Sequence, residues 1–157
     1  MAFQGGGSTA LAYHGALRVL EDEGILDGIE RVAGTSAGAT LATLISLRLD
    51  VAEIQQIYRS FDVDEFNAAL AGYSEESGLP PRVLGRLQGN ISSLSRLATR
   101  YGRNSFDYYY DWLQQALAPY CKNHPRATFA QYKDWGYRDL YIVTTNLSRR
   151  KTEVFSA

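Results

Sequence analysis

Gly34-Thr35-Ser36-Ala37-Gly38 sets a serine between two glycines, where a short apolar run (Arg31 to Gly34) meets a helix-favouring run from Ala37 to about Leu49. The pentapeptide G-x-S-x-G is common by chance; its setting gives it weight. A serine on a tight strand-to-helix turn is forced out of the sheet, and its hydroxyl is presented at the helix N-terminus. The flanking glycines allow the turn and leave room for neighbouring elements. Free N–H groups in the first helical turn, with the helix dipole, favour negative charge developing nearby. Ser36 is therefore the candidate nucleophile, and Gly34 and Gly38 are the glycines of its elbow.

The surrounding chain alternates strand-like and helix-like segments. Ala2-Phe3-Gln4 reads as a strand stub. Leu11, Ala12, Gly15, Ala16, Val19 and Leu20 share one face at helical spacing, which predicts that this stripe faces the core. Gly24 should end that helix as its C′ residue, with Ile25 as the apolar contact. Near the other end, Leu140 to Thr145 is β-branched and aromatic, a predicted buried strand, with Thr152 to Ser156 as its partner across a turn. Strand, helix, strand, helix predicts βαβ units around a mostly parallel sheet. One α/β domain fits the 157 residues, of which 45% are hydrophobic and 21% charged. A disordered chain, a coiled coil and a collagen-like repeat are excluded on the same figures. The uncharged stretch from Val32 to Leu47 is too short and too polar to span a membrane and reads as a buried helix.

Gly5-Gly6-Gly7 follows the first strand and opens the first helix. Three successive glycines expose backbone N–H groups without hindrance from Cβ atoms, so this loop can close around an oxyanion. In a parallel sheet it emerges at the same carboxyl edge as the Ser36 turn. A nucleophile beside such a cradle is an acyl-transfer site, each donor supplying about 3 kcal/mol of transition-state stabilisation. Gly5-x-Gly7-x-x-Ala10 also fits the dinucleotide fingerprint, but the acid that would hold a ribose is missing from the end of the second strand. The proton acceptor is less evident. His14 shares a helix face with Arg18, Glu21 and Asp22 and reads as solvent-facing. His124 sits in a loop. A Ser-His-Asp triad would need His124; the alternative is a carboxylate acting alone as general base. Asp27-Gly28 precedes Ser36 and reads as a turn.

Gly5-Gly6-Gly7, Ala12-Tyr13-His14-Gly15-Ala16-Leu17 and Gly34-Thr35-Ser36-Ala37-Gly38-Ala39 together resemble the start of patatin-like phospholipases, and Leu140 to Phe155 is similar to a later strand pair of that domain. The resemblance implies a three-layer α/β/α domain over residues 1–157 that hydrolyses acyl ester bonds of lipids through a Ser-Asp dyad. Ser36 would be the nucleophile, and Gly5, Gly6 and Gly7 would line the oxyanion hole through their amides. The family's aspartate lies in a D-G-G or D-G-A motif after the strand pair. None matches here, so the resemblance places the acid beyond Ala157 and makes these residues part of a catalytic domain, nearly inactive alone. Thr9 and Ala10 replace the basic residue and the glycine that usually follow the glycine run. These departures keep a second reading open, a catalytically degenerate domain that still binds lipid. A Ser-His-Asp esterase is the third.

Residues 62–104 read as a helical and loop insertion. Five arginines without an acidic residue (Arg82, Arg86, Arg96, Arg100, Arg103) and a short amphipathic segment, Ile91 to Tyr101, could contact anionic lipid, but a solvated face is the simpler reading. Asp62, Asp64 and Glu65 read as a helix start. Ser105 is expected to cap a helix reaching about Tyr120, with Tyr109, Leu113, Ala116 and Leu117 on a packed face. Cys121, the only cysteine, excludes a disulfide framework and a multi-cysteine metal site and reads as inert. Neither a metal nor a cofactor is expected. The expected partner is a phospholipid or acylglycerol, with peripheral membrane contact; a net charge of −1 offers no field for nucleic acid. No leader opens the chain, so the expected setting is soluble, cytoplasmic or at a membrane surface, with a reducing compartment mildly favoured.

Overall fold

The computed structural model describes residues 1–71, 106–124 and 126–157. Four strands form one sheet in the order β1 (Ala2–Phe3), β2 (Arg31–Gly34), β3 (Asp139–Asn146) and β4 (Lys151–Phe155). The first three are parallel and β4 returns antiparallel to β3, which gives the mixed α/β class that the alternation predicts. The described helices are α1 (Tyr13–Asp22), α2 (Ala37–Ser46), α3 (Val51–Arg59), α4 (Val63–Ala71), α5 (Asp107–Leu117) and α6 (Phe129–Asp134). Two compact units result, Met1–Ser60 with Ala118–Ala157, and Phe61–Leu117. The arginines between Arg82 and Arg103, the Ile91–Tyr101 segment and Ser105 lie outside the described residues. No described helix is long and apolar enough to cross a membrane.

In the first unit α2 is the centre. It packs on β1, β2 and β3. Leu41, Ala42, Leu44, Ile45 and Ser46 have no exposed surface, and Val32, Leu17, Val51 and Ile54 close around them. The predicted helix to Leu49 ends at Ser46, because Arg48 turns to φ 63° and Asp50 starts α3. Asp50 Oδ1 accepts from the Glu53 amide at 2.7 Å while Glu53 Oε2 accepts from the Asp50 amide at 3.0 Å, a complete capping box.

The first helix corrects one expectation. Its predicted core stripe faces outward: Leu11 is 52% and Val19 60% exposed. The inward face carries Leu17, with His14, Leu20 and Glu21 half-buried beside it. The reason is α3. Its first amide, on Val51, donates to Glu21 Oε1 at 2.7 Å, and Tyr58 meets the His14 ring edge-to-face at 4.8 Å. One hydrogen-bonded carboxylate and one aromatic contact thus outweigh a stripe in which three of six residues are alanine or glycine, whose burial releases little apolar surface. Gly24 does end α1, at φ 68°. Its amide donates to the Glu21 carbonyl at 2.9 Å, and the Ile25 amide donates to the Leu20 carbonyl at 2.8 Å.

Two contacts fix α2 at its ends. At its N-terminus, the backbone comes so close to the sheet that side chains are excluded. A Cβ built on Gly34 would lie 2.1 Å from the Gly38 carbonyl oxygen, and one on Gly38 would lie 2.4 Å from the carbonyl oxygen of Phe3. At its C-terminus, the buried guanidinium of Arg138 donates to the carbonyls of Ile45 (2.7 Å), Leu26 (2.9 Å) and Ile29 (2.7 Å), and its amide donates to Ser46 at 2.9 Å. Burial pulls the guanidinium pKa below its usual value. Carbonyls rather than a carboxylate hold this cation, since Asp27 stands 4.0 Å away and is almost wholly exposed.

In the second unit Asp62 Oδ1 caps α4 by accepting from the Glu65 amide at 2.9 Å, as the acidic start predicts. Phe61, Phe66, Tyr109 and Trp112 form an aromatic cluster, with Phe61 and Trp112 centroids 4.8 Å apart. Trp112 and Leu117 are buried while Tyr110 is exposed, so one face of α5 packs and the other does not.

Three substitutions test this frame. Arg138→Met should lower stability by about 3 kcal/mol in urea titration, because the Ile45, Leu26 and Ile29 carbonyls each lose a charge-assisted hydrogen bond. A loss below about 1 kcal/mol would contradict the cage. Gly34→Ala should cost about 3 kcal/mol or more, since backbone must move. Gly15→Ala, where an added Cβ meets nothing within 4 Å, should gain about 0.5–1 kcal/mol. Equal effects at the two glycines would refute the close approach.

Candidate active site

Ser36 occupies the junction of β2 and α2 with φ 53° and ψ −130°. For a non-glycine residue this is a strained backbone, costing about 1–3 kcal/mol, of the kind that clusters at functional sites. Its side chain forms no cap bond to its own helix, and the residue is exposed. The hydroxyl is therefore not spent on ending α2, as a serine at that position ordinarily would be.

The glycine run meets this serine at one residue. A Cβ on Gly5 would lie 2.7 Å from Ser36 Cβ, 2.9 Å from the Thr35 carbonyl oxygen and 3.4 Å from Ser36 Oγ. Only a residue without a side chain fits there, and the backbone of the first loop is thereby brought against the serine. Gly6 and Gly7 stand differently. A Cβ on Gly6 would meet Thr9 Oγ1 at 2.4 Å, whereas Gly7, at φ 57°, opens the 3₁₀ turn Gly7–Ala12 with free space around it.

Thr9 has a local role that sequence reasoning did not find. Its hydroxyl and its amide both donate to the Gly6 carbonyl, at 2.8 and 3.2 Å. Because the peptide is trans, tying that carbonyl into the turn directs the Gly7 N–H the opposite way. Tyr13 steadies the start of the loop, with its hydroxyl donating to the Gln4 carbonyl at 3.3 Å and its ring edge-on to Phe3 at 5.3 Å. Ala10 is buried inside the 3₁₀ turn without a positive φ, so an alanine fits there.

A second residue also emerges only from coordinates. In the first turn of α2 the amides of Gly38, Ala39 and Thr40 donate to the carbonyls of Thr35, Ser36 and Ser36 at 3.0, 2.8 and 3.4 Å. Among the described residues no such acceptor takes the amide of Ala37, which directly follows the serine. That is the position from which a nucleophile elbow contributes an oxyanion donor. The motif itself was the available signal.

Neither histidine is hydrogen-bonded to Ser36 among the described residues. His14, expected to meet solvent, is half-buried against Tyr58, with Nε2 enclosed and unbonded; burial lowers its pKa and favours the neutral ring. His124 is exposed beside the turn that follows α5. Asp27 lies in the 3₁₀ turn Leu26–Gly28, at the opposite end of β2 from Ser36. Cys121 is buried, its thiol donates to the Tyr132 hydroxyl at 3.4 Å, and burial pushes its pKa up, all consistent with an unreactive thiol. Among the described residues no cluster of His, Cys, Asp and Glu could hold a metal ion.

Comparison with known proteins bears on the fold and the family. The chain is 25% identical over 158 residues to the uncharacterized protein R571 of Acanthamoeba polyphaga mimivirus, covering 99% of this chain and 44% of that protein. It is similar in fold to ExoU, solved in complex with SpcU of the Pseudomonas aeruginosa type III secretion system, with TM-score 0.57, 21% identity, and coverage of 99% of this chain and 34% of ExoU. A second structure of the type III effector ExoU gives TM-score 0.55 at 21% identity, covering 99% and 35%. The chain thus spans less than half the length of these proteins. A family model for patatin-like phospholipase matches residues 1–155, and the chain belongs to that family.

Proposed function

We propose that this chain carries the nucleophile half of a lipid acyl hydrolase, of phospholipase A or lipase type, with Ser36 attacking the acyl ester. The observation that carries this reading is the strained Ser36 turn with the Gly5 backbone against it. Strain of this kind is retained where surrounding structure over-determines it, and a merely structural serine at a helix start has no need of it.

In the proposed reaction Ser36 Oγ attacks the carbonyl carbon of a phospholipid or acylglycerol. Its proton passes to a carboxylate acting as general base, and the carbonyl electron pair moves onto oxygen. Amides of the Gly5-Gly6-Gly7 loop and of Ala37 stabilise that oxyanion. Collapse expels the lipid alcohol, which takes the proton from the acid, and water then releases the fatty acid from Ser36 by the same route. The base is an aspartate contributed by residues C-terminal to Ala157. A dyad without histidine needs a carboxylate of raised proton affinity, and acyl chains that exclude water supply that condition. On this reading residues 1–157 are part of one such domain, and no cofactor takes part.

Thr9 weighs against the degenerate reading. It lacks the positive charge usual at its position, yet it braces the Gly6 carbonyl and so supports a shaped loop. No contact among the described residues favours a histidine-based triad.

The test is Ser36→Ala in the full-length protein, with release of fatty acid from phospholipid and of p-nitrophenol from its esters. Turnover should fall at least about a thousandfold with folding intact. Undiminished turnover would end the proposal.

A further inference from the structure

The β3–β4 hairpin reaches past the sheet edge that holds Ser36. Pairing of β2 with β3 stops at Gly34 opposite Ile142, whereas β3 runs on to Asn146, which pairs with Lys151 of β4. At ~3.3 Å per residue, those further residues carry the strand roughly 13 Å beyond Gly34. The tip bears Leu147, 82% exposed, followed by exposed Arg149, Arg150 and Lys151. Glu153 is the carboxylate that meets them, 3.6 Å from Arg149 and 3.9 Å from Lys151. Both pairs lie at the surface and are weak, so the three cations keep their attraction for other anions. Arg150, at φ 52°, forms no ion pair among the described residues. Leu11, also exposed, leaves the same edge in the 3₁₀ turn after the glycine run.

A chain of net charge −1 has no reason of bulk charge to gather three consecutive cations. Their place is informative: they project on the side where Ser36 must receive its substrate. An apolar side chain beside cations matches an anionic bilayer surface, where the leucine enters the headgroup layer and the cations meet lipid phosphates and carboxylates. A nucleic acid would use the charges but has no use for the leucine.

We propose that the hairpin tip, Leu147 with Arg149, Arg150 and Lys151, docks the protein onto an anionic lipid bilayer with the Ser36 edge facing the membrane. The orientation rests on reading Ser36 as the nucleophile; the docking itself is measured without turnover.

The experiment is co-sedimentation of the full chain carrying Ser36→Ala with vesicles of phosphatidylcholine alone or mixed with phosphatidylserine. The protein should partition onto the mixed vesicles only and be released by high salt. Each basic residue near the surface contributes about fivefold, or about 1 kcal/mol. The triple change R149Q/R150N/K151Q should therefore weaken partitioning on the order of a hundredfold. Leu147→Ser should weaken it severalfold, and Glu153→Gln, which removes the carboxylate paired with Arg149 and Lys151, should strengthen it by up to about fivefold. That gain should appear on the mixed vesicles alone, with no added sedimentation on phosphatidylcholine or without vesicles, which separates it from misfolding or aggregation. Unchanged partitioning in the triple variant, equal binding to both vesicle types, or retention on heparin without vesicle binding would each overturn the proposal. Loss of turnover in Ser36→Ala bears on the nucleophile alone, so the two readings can fail separately.

Discussion

How near α2 lies to the strands beneath it is the constraint on which the rest of this structure depends. Gly34 and Gly38 are in effect backbone packed on backbone, and the space between them would not admit a methyl group. A chain turning from strand to helix in so little room has few backbone angles available. The residue at the apex takes φ 53°, and that residue is Ser36. The strain of about 1–3 kcal/mol is small beside the apolar burial that holds α2 in place. Local distortion at the apex is thus sustained by packing along the length of the helix.

The polar ties of the first unit serve the same end. Arg138 ties together the Ile45 carbonyl at the end of α2 and the Leu26 and Ile29 carbonyls in the segment before β2, adding a charged donor to carbonyls of Ile45 and Leu26 that also accept from the Arg48 and Ile29 amides. Glu21 receives the first amide of α3. Both satisfy polar groups at a helix terminus inside the core, and Arg138 holds α2 from the end opposite Ser36. On the other flank, Thr9 and Tyr13 shape the first loop from within its own segment. A serine hydroxyl and a loop of amides are in this way held by separate sets of contacts, which limits how far either can drift from the other.

Much of this was legible in the sequence where the signal was local. The strand Arg31–Gly34, the elbow, the glycine stop at Gly24 and the β3–β4 pair follow from short patterns with one physical meaning. The face of α1 was not legible, because an apolar stripe half of alanine and glycine is a weak guide when the Glu21–Val51 bond and the His14–Tyr58 ring contact, both to a helix far along the chain, compete with it. α3 and α6 went unread although each announces itself with a capping box, Asp50 with Glu53 and Thr128 with Gln131. Arg138 had no signal at all: its acceptors lie 93 to 112 residues away, and nothing near it in the chain marks it as buried. Within the candidate site, the close approach of Gly5 to Ser36 has a signal in the glycine run and the G-x-S-x-G motif, whereas Thr9 reads only as a missing charge and Ala37 as filler.

The central claim is that one hydroxyl, held at a strained turn beside a loop of amides, is a working nucleophile. Its most direct measurement is covalent capture: the full-length protein is treated with a fluorophosphonate, digested, and the modified peptide is identified by mass spectrometry. The account predicts a single phosphonylated residue, Ser36, with labelling abolished when the protein is unfolded first. Labelling spread over several serines, or a folded protein that leaves Ser36 unmodified, would contradict it.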